Sequence, residues 1–144
     1  MRLARLCLAA AASLALATPA WAQKQVIVPP GGRGGGTLSP AVRVGDLVFV
    51  SGQGAARGDS TIDAQTTTEL TKIQNILQAA GTSMDNVVKC QVFMTDKAEF
   101  QAMNAAYQKF FPSNPPARTT VVVAALVGNG AKVEIECIAA MPKN

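Results

Sequence analysis

The sequence predicts an α+β domain of order β-β-α-β-α-β-β, with two helices on one face of a mixed sheet. Two β-rich runs flank Gly45-Asp46 within AVRVGDLVFVS (41–51). Two later segments repeat apolar residues at helical spacing, and strand-like apolar runs follow each of them. Strands and helices in this order pack as one two-layer domain.

The first 22 residues, MRLARLCLAAAASLALATPAWA, read as a leader rather than as part of that domain. Arg2 and Arg5 form a cationic start and Leu6 to Ala17 an apolar stretch. Pro19 breaks that stretch, and Ala20-Trp21-Ala22 places small residues where a signal peptidase reads. The stretch is shorter than the ~20 residues a membrane span needs. Cleavage after Ala22 is expected to leave an exported protein, periplasmic in a Gram-negative cell, with no membrane segment. Residues 23–40 hold Pro29-Pro30, five glycines and Pro40, and are predicted to form an irregular arm ahead of a domain at 41–144.

The pair Gly45-Asp46 fits a two-residue hairpin turn. A helix is expected over 63–80, with Leu70, Ile73, Ile76, Leu77 and Ala80 on one face and Gly81 as its C-terminal stop. NVVKCQVFM (86–94) is the next strand. Asp96 with Glu99 reads as a capping box for a second helix, whose stripe is Phe100, Met103, Tyr107, Phe110 and Phe111 and which Pro112 stops. Strands at 119–125 and 132–141, joined through Gly128-Asn129-Gly130, suggest an antiparallel pair. Helices on one face leave the other sheet face bare, and Val121 to Ala125 is apolar on both sides. Oligomerisation through the bare face is the expected cover.

The chain contains no His, which excludes imidazole triads and His-ligated zinc sites. Loss of Arg2 and Arg5 takes the formal charge from +4 to +2, with no basic run, so nucleic-acid binding is not expected. Cys90 and Cys137 remain in the mature chain, as a disulfide or as two buried thiols. Arg118, at the mouth of an apolar strand, can grip a carboxylate with two parallel hydrogen bonds. Glu134 and Glu136 alternate with Val133, Ile135 and Cys137, so both point away from the apolar side. Either is a general-base candidate if an interface partly dries it. The plainer readings are an ion pair with Arg118 or solvated carboxylates. Asn104 lies off the second helix's stripe, and Ser51 ends a strand before Gly52. Each is a ligand contact or an ordinary polar residue.

Six segments, AVRVGDLVFVSGQ, QAAGTSMDNVVK, QVFMTD, MNAAYQKFF, NPPARTTV and VEIECIA, resemble the Rid (YjgF) family in order, from about Ser39 to Ala140. The resemblance implies a chorismate-mutase-like fold, a homotrimer whose sheets form a central barrel, and ligand sites between subunits. It implies hydrolysis of 2-enamine and 2-imine acids, such as 2-aminoacrylate and 2-iminobutanoate, to 2-keto acids and ammonia without a cofactor or metal. Arg118 matches the family's carboxylate-binding arginine and Glu134 the glutamate assigned to the attacking water; Ser51 and Asn104 match cleft positions. The family's pocket tyrosine is Leu38 here, and the loop before Glu134 is one residue longer. The alternative expectation is a non-catalytic trimer that binds small carboxylates or acts as a chaperone-like surface. Ribonuclease activity, known among relatives, sits poorly with the low charge and the lack of His.

Overall fold

The computed structural model describes residues 23–32, 35–55 and 58–143. The predicted leader lies outside the described residues. Six strands, β1 (Gln25–Ile27), β2 (Ala41–Val44), β3 (Leu47–Gln53), β4 (Val87–Met94), β5 (Ala117–Val122) and β6 (Val133–Ala140), form one sheet in the order β1-β2-β3-β6-β4-β5. Helices α1 (Ile62–Ala80) and α2 (Phe100–Gln108) cover one face. The sheet is mixed and open, so a single chain closes no barrel.

Each element follows from its residues. Val44 opposes Leu47 across Gly45-Asp46, and Gly45 takes the left-handed φ of 58° that this tight turn requires. Thr61 caps α1 by accepting from the Ala64 backbone, and Gly81 ends it at φ 84°. Leu70, Ile73 and Leu77 are wholly buried against Val48, Val92 and Ile135 of the sheet. Along β6, Val133, Ile135, Cys137 and Ala139 enter this core, while Glu134, Glu136 and Ile138 point to the bare face.

Five expectations need correction. The arm at 23–40 is not irregular throughout: β1 pairs antiparallel with β2 and buries Ile27. The last two strands do not pair with each other. Strand β5 runs parallel to β4, and β6 lies between β3 and β4, antiparallel to both. Helix α2 joins β4 to β5, and a helical crossover returns the chain in the same direction. β5 also ends at Val122, short of Ala125. The capping box is only half made. Asp96 caps a 3-10 turn at Lys97–Glu99, but the Glu99 carboxylate pairs with Lys132 at 2.8 Å. Helix α2 then ends at Gln108, before Pro112, although Phe111 still packs in the core.

Cys90 and Cys137 stand opposite each other on β4 and β6, with Cα atoms 4.1 Å apart, and form a disulfide. Both are buried among the core residues. The bridge pins the register of the two central strands. Replacing both cysteines by alanine should lower unfolding stability by about 2–4 kcal/mol in a denaturant titration. An unchanged midpoint would show that the bridge does not form.

Candidate functional site

The polar residues singled out in the sequence gather in two places, one on each side of the sheet. Arg118, the second residue of β5, is in register with Cys90, so its side chain points to the helix face. There the guanidinium donates to Asn104 Oδ1 at 2.7 Å and lies over the Tyr107 ring at 4.6 Å, with Phe100 at 5.9 Å. Asn104 and Tyr107 come from α2, one residue after Met103 and four after it, so the helix that packs the core also holds the arginine. An open cleft of about 490 Å³ lies beside them, walled by Pro112, Pro115, Pro116 and Phe111. No carboxylate pairs with Arg118 among the described residues; the ion pairs seen there include Lys109–Asp63 and Lys132–Glu99. One of the plainer readings, an Arg118–Glu ion pair, is therefore not made within one chain. Tyr107 is buried with its hydroxyl unpartnered, and that burial pushes it up to about 12, against a smaller opposing effect of Arg118.

Glu134 lies on the other face. It pairs in register with Phe93, three residues along β4 from Cys90, and β4 separates its strand from β5. Roughly 10 Å along the strand and 10 Å across it therefore divide Glu134 from Arg118. The Glu134 carboxylate rests on the β3 backbone: any Cβ on Gly52 would fall in the space Oε1 occupies. Gly52 sits in a register shift between Val50 and Gln53, which turns this stretch out of the regular ladder. Ser51 donates to the Ser39 carbonyl at 2.7 Å and ties the end of the arm to this edge. Leu38, the tyrosine position of the resemblance, is 60% exposed and lines a shallow cleft with Gly52 and Gln53. Glu136 is engaged with Gln91 on the bare face and is not part of either group.

The structure thus joins Arg118 with Asn104, and Glu134 with the Ser51–Gly52 edge, but not the two groups with each other. Neither arrangement offers a cluster of metal ligands among the described residues.

One residue escaped the sequence reading. Glu69 of α1 is wholly buried, and neither carboxylate oxygen has a hydrogen-bond partner among the described residues. Its pKa is pushed from 4.5 up to about 9, first by burial, then by the charges of Glu134 and Asp59, against Lys72. The signal was in the spacing: Gln65, Glu69 and Ile73 step along the buried face at four-residue intervals. Because the folded state holds this proton more tightly than the unfolded chain, stability is full below pH 4.5. It declines as pH rises to about 9, and stays level above that. Glu69→Gln removes the penalty and should raise unfolding stability at pH 7 by up to about 3 kcal/mol. Chemical denaturation at pH 4.5, 7 and 9 checks this; parallel pH curves for the two proteins would contradict it.

Comparison with known proteins gives the context. A family model described as Endoribonuclease L-PSP matches residues 34–141. The chain is 41% identical over 112 residues to the mitochondrial protein mmf2 of Schizosaccharomyces pombe, covering 74% of this chain and 89% of that one. It is 38% identical over 112 residues to the chloroplastic Reactive Intermediate Deaminase A of Arabidopsis thaliana, covering 74% of this chain and 59% of that one. Rv2704 of Mycobacterium tuberculosis, described as a member of the YjgF/YER057c/UK114 family, superimposes with a TM-score of 0.74 at 28% identity. That match covers 83% of this chain and all of Rv2704. The chain belongs to the Endoribonuclease L-PSP family, known also as the YjgF or Rid family.

Proposed function

We propose that the protein hydrolyses small 2-imine and 2-enamine acids to 2-keto acids and ammonia, without a cofactor, at sites shared between subunits of a homotrimer. One observation carries the proposal. Arg118 is held by Asn104 and Tyr107 at the wall of an open cleft, with its charge unpaired by any described carboxylate. A guanidinium so placed offers a two-pronged grip to a substrate carboxylate.

Arg118 orients the substrate, and an acid group must then lie within reach of C2. Glu134 is that group, brought from a neighbouring subunit because its own chain places it across the sheet from Arg118. The reacting form is the imine protonated on nitrogen, which an enamine reaches by gaining a solvent proton at C3. Water adds to its C=N carbon as Glu134 takes the water's proton, and the C=N electrons move to nitrogen to give the neutral carbinolamine. The carbinolamine then gains a proton on nitrogen from Glu134. The C–N bond breaks with its electrons on the departing ammonia as the hydroxyl gives its proton to the regenerated Glu134 carboxylate and becomes the ketone oxygen; that proton leaves with ammonia as ammonium. An imine carbon is already electrophilic, so holding it beside a positioned water supplies much of the rate. The ribonuclease description of relatives fits less well, because the chain lacks His for acid–base work.

The bare sheet face supports association. Val26, Val44, Leu47, Phe49 and Val121 are each about two-fifths exposed or more there. Light scattering of the purified protein at micromolar concentration should give a trimer; a monodisperse monomer would remove the shared site.

A second reading is favoured by Leu38, whose exposed apolar side chain replaces a hydroxyl-bearing ring beside Gly52. On that reading the trimer binds carboxylates without turning them over. Three variants separate the readings when assayed on freshly generated 2-iminobutanoate. Arg118→Ala should lose about 2–4 kcal/mol of transition-state stabilisation, roughly 30- to 1000-fold in kcat/KM. Arg118→Lys should lose most of it too, since the fork matters as much as the charge. Glu134→Gln should lower kcat and leave carboxylate affinity in place. Carboxylate binding that depends on Arg118, with no hydrolysis by the wild type, would establish the second reading instead.

A further inference from the structure

Nothing in the proposed mechanism uses Glu69, yet a carboxyl group without a partner is costly to bury. The surroundings are specific. Thr66, one turn earlier on α1, is also wholly buried with its hydroxyl unpartnered. Gln65, next on the same face, is fully used: it donates to the Asp59 and Gly130 carbonyls and accepts from the Lys132 backbone. Lys72, the cation of this stretch of helix, is turned outward to the Gly54 carbonyl at 2.5 Å. Gly52 carries no side chain, so the Glu134 carboxylate rests directly on the β3 backbone. Glu134 and Gln65 line one cleft together with Gly54 and Asp59, which brings the Glu134 carboxylate to this end of α1. The charged groups acting on Glu69 are Glu134 from β6, Lys72 from α1 and Asp59 from the loop before α1.

We propose that Glu69 is a positioning residue for the Glu134 half-site: its dry, unpartnered carboxyl lies one turn of α1 from Gln65, which lines the same cleft as Glu134. This rests on the proposed role of Glu134. Two acids whose surroundings differ this much divide the labour: the dry one keeps its proton and the wet one acts as the base. The substrate is itself an anion, so a second negative charge behind Glu134 would oppose its binding. The ionisation of Glu69 therefore sets the alkaline limit of the site through substrate affinity rather than through the chemical step.

Two measurements test this independently of turnover. In carboxyl-carbon NMR the wild type should show one Glu side chain titrating in the alkaline range, absent in Glu69→Gln and moved to lower pH in Glu134→Gln. Calorimetry with 2-ketobutyrate as probe should show wild-type affinity falling about three- to tenfold between pH 8 and 10, a loss that Glu69→Gln abolishes. Glu69→Met serves if the amide variant misfolds, and circular dichroism over the same pH range separates loss of binding from loss of fold. An alkaline Glu titration unmoved by Glu134→Gln would overturn the coupling. An equal alkaline loss of affinity in the wild type and the Glu69 variants would overturn the effect on substrate. If the wild type binds the probe at no pH, the proposed substrate class fails, and the NMR titration still decides whether Glu69 and Glu134 are coupled.

Discussion

The placement of β6 between β3 and β4 is the constraint on which the rest depends. It sets Cys137 against Cys90 and completes the core under both helices. It also points Glu134 to the side opposite that core. Once this strand is in register, a single alternation of side chains decides which residues stabilise the domain and which face outward. A shift of one residue would bury Glu134 and Glu136 and expose Ile135 and Cys137.

The same constraint divides the site. Arg118 belongs to β5, whose parallel pairing with β4 is dictated by the α2 crossover, and α2 supplies both side chains that hold it. Glu134 belongs to the opposite face and to the edge formed by Ser51 and Gly52. Each group is held within its own chain, and the chain does not bring the two together. Under the proposed function such halves act only on assembly, because carboxylate grip and base come together only across a subunit contact.

Local patterns were legible in the sequence, and long-range pairings were less so. The Gly45-Asp46 turn, the span of α1 with its Gly81 stop, and the in–out alternation of β6 follow from neighbours a few residues apart. The position of β6 inside the sheet does not, since nothing local to 133–140 shows which strands it will separate. The same limit explains the arm. Gly and Pro residues hid a three-residue strand at 25–27 that exists through its pairing with β2. The candidate residues were visible as polar groups in apolar strands, but their separation by the sheet was not. Glu69 was overlooked because a glutamate inside a helix ordinarily faces water, and its burial follows from the packing of α1 on β3 and β6.

The central claim, that Arg118 of one subunit works with Glu134 of another, is tested most directly by mixing defective subunits. Arg118→Ala and Glu134→Gln proteins, each inactive alone, are co-refolded in equal amounts and assayed for imine hydrolysis. If the site is shared, about a quarter of the subunit contacts unite an intact arginine with an intact glutamate, and roughly that share of wild-type activity returns. Mixed assemblies as inactive as their parents would contradict the account.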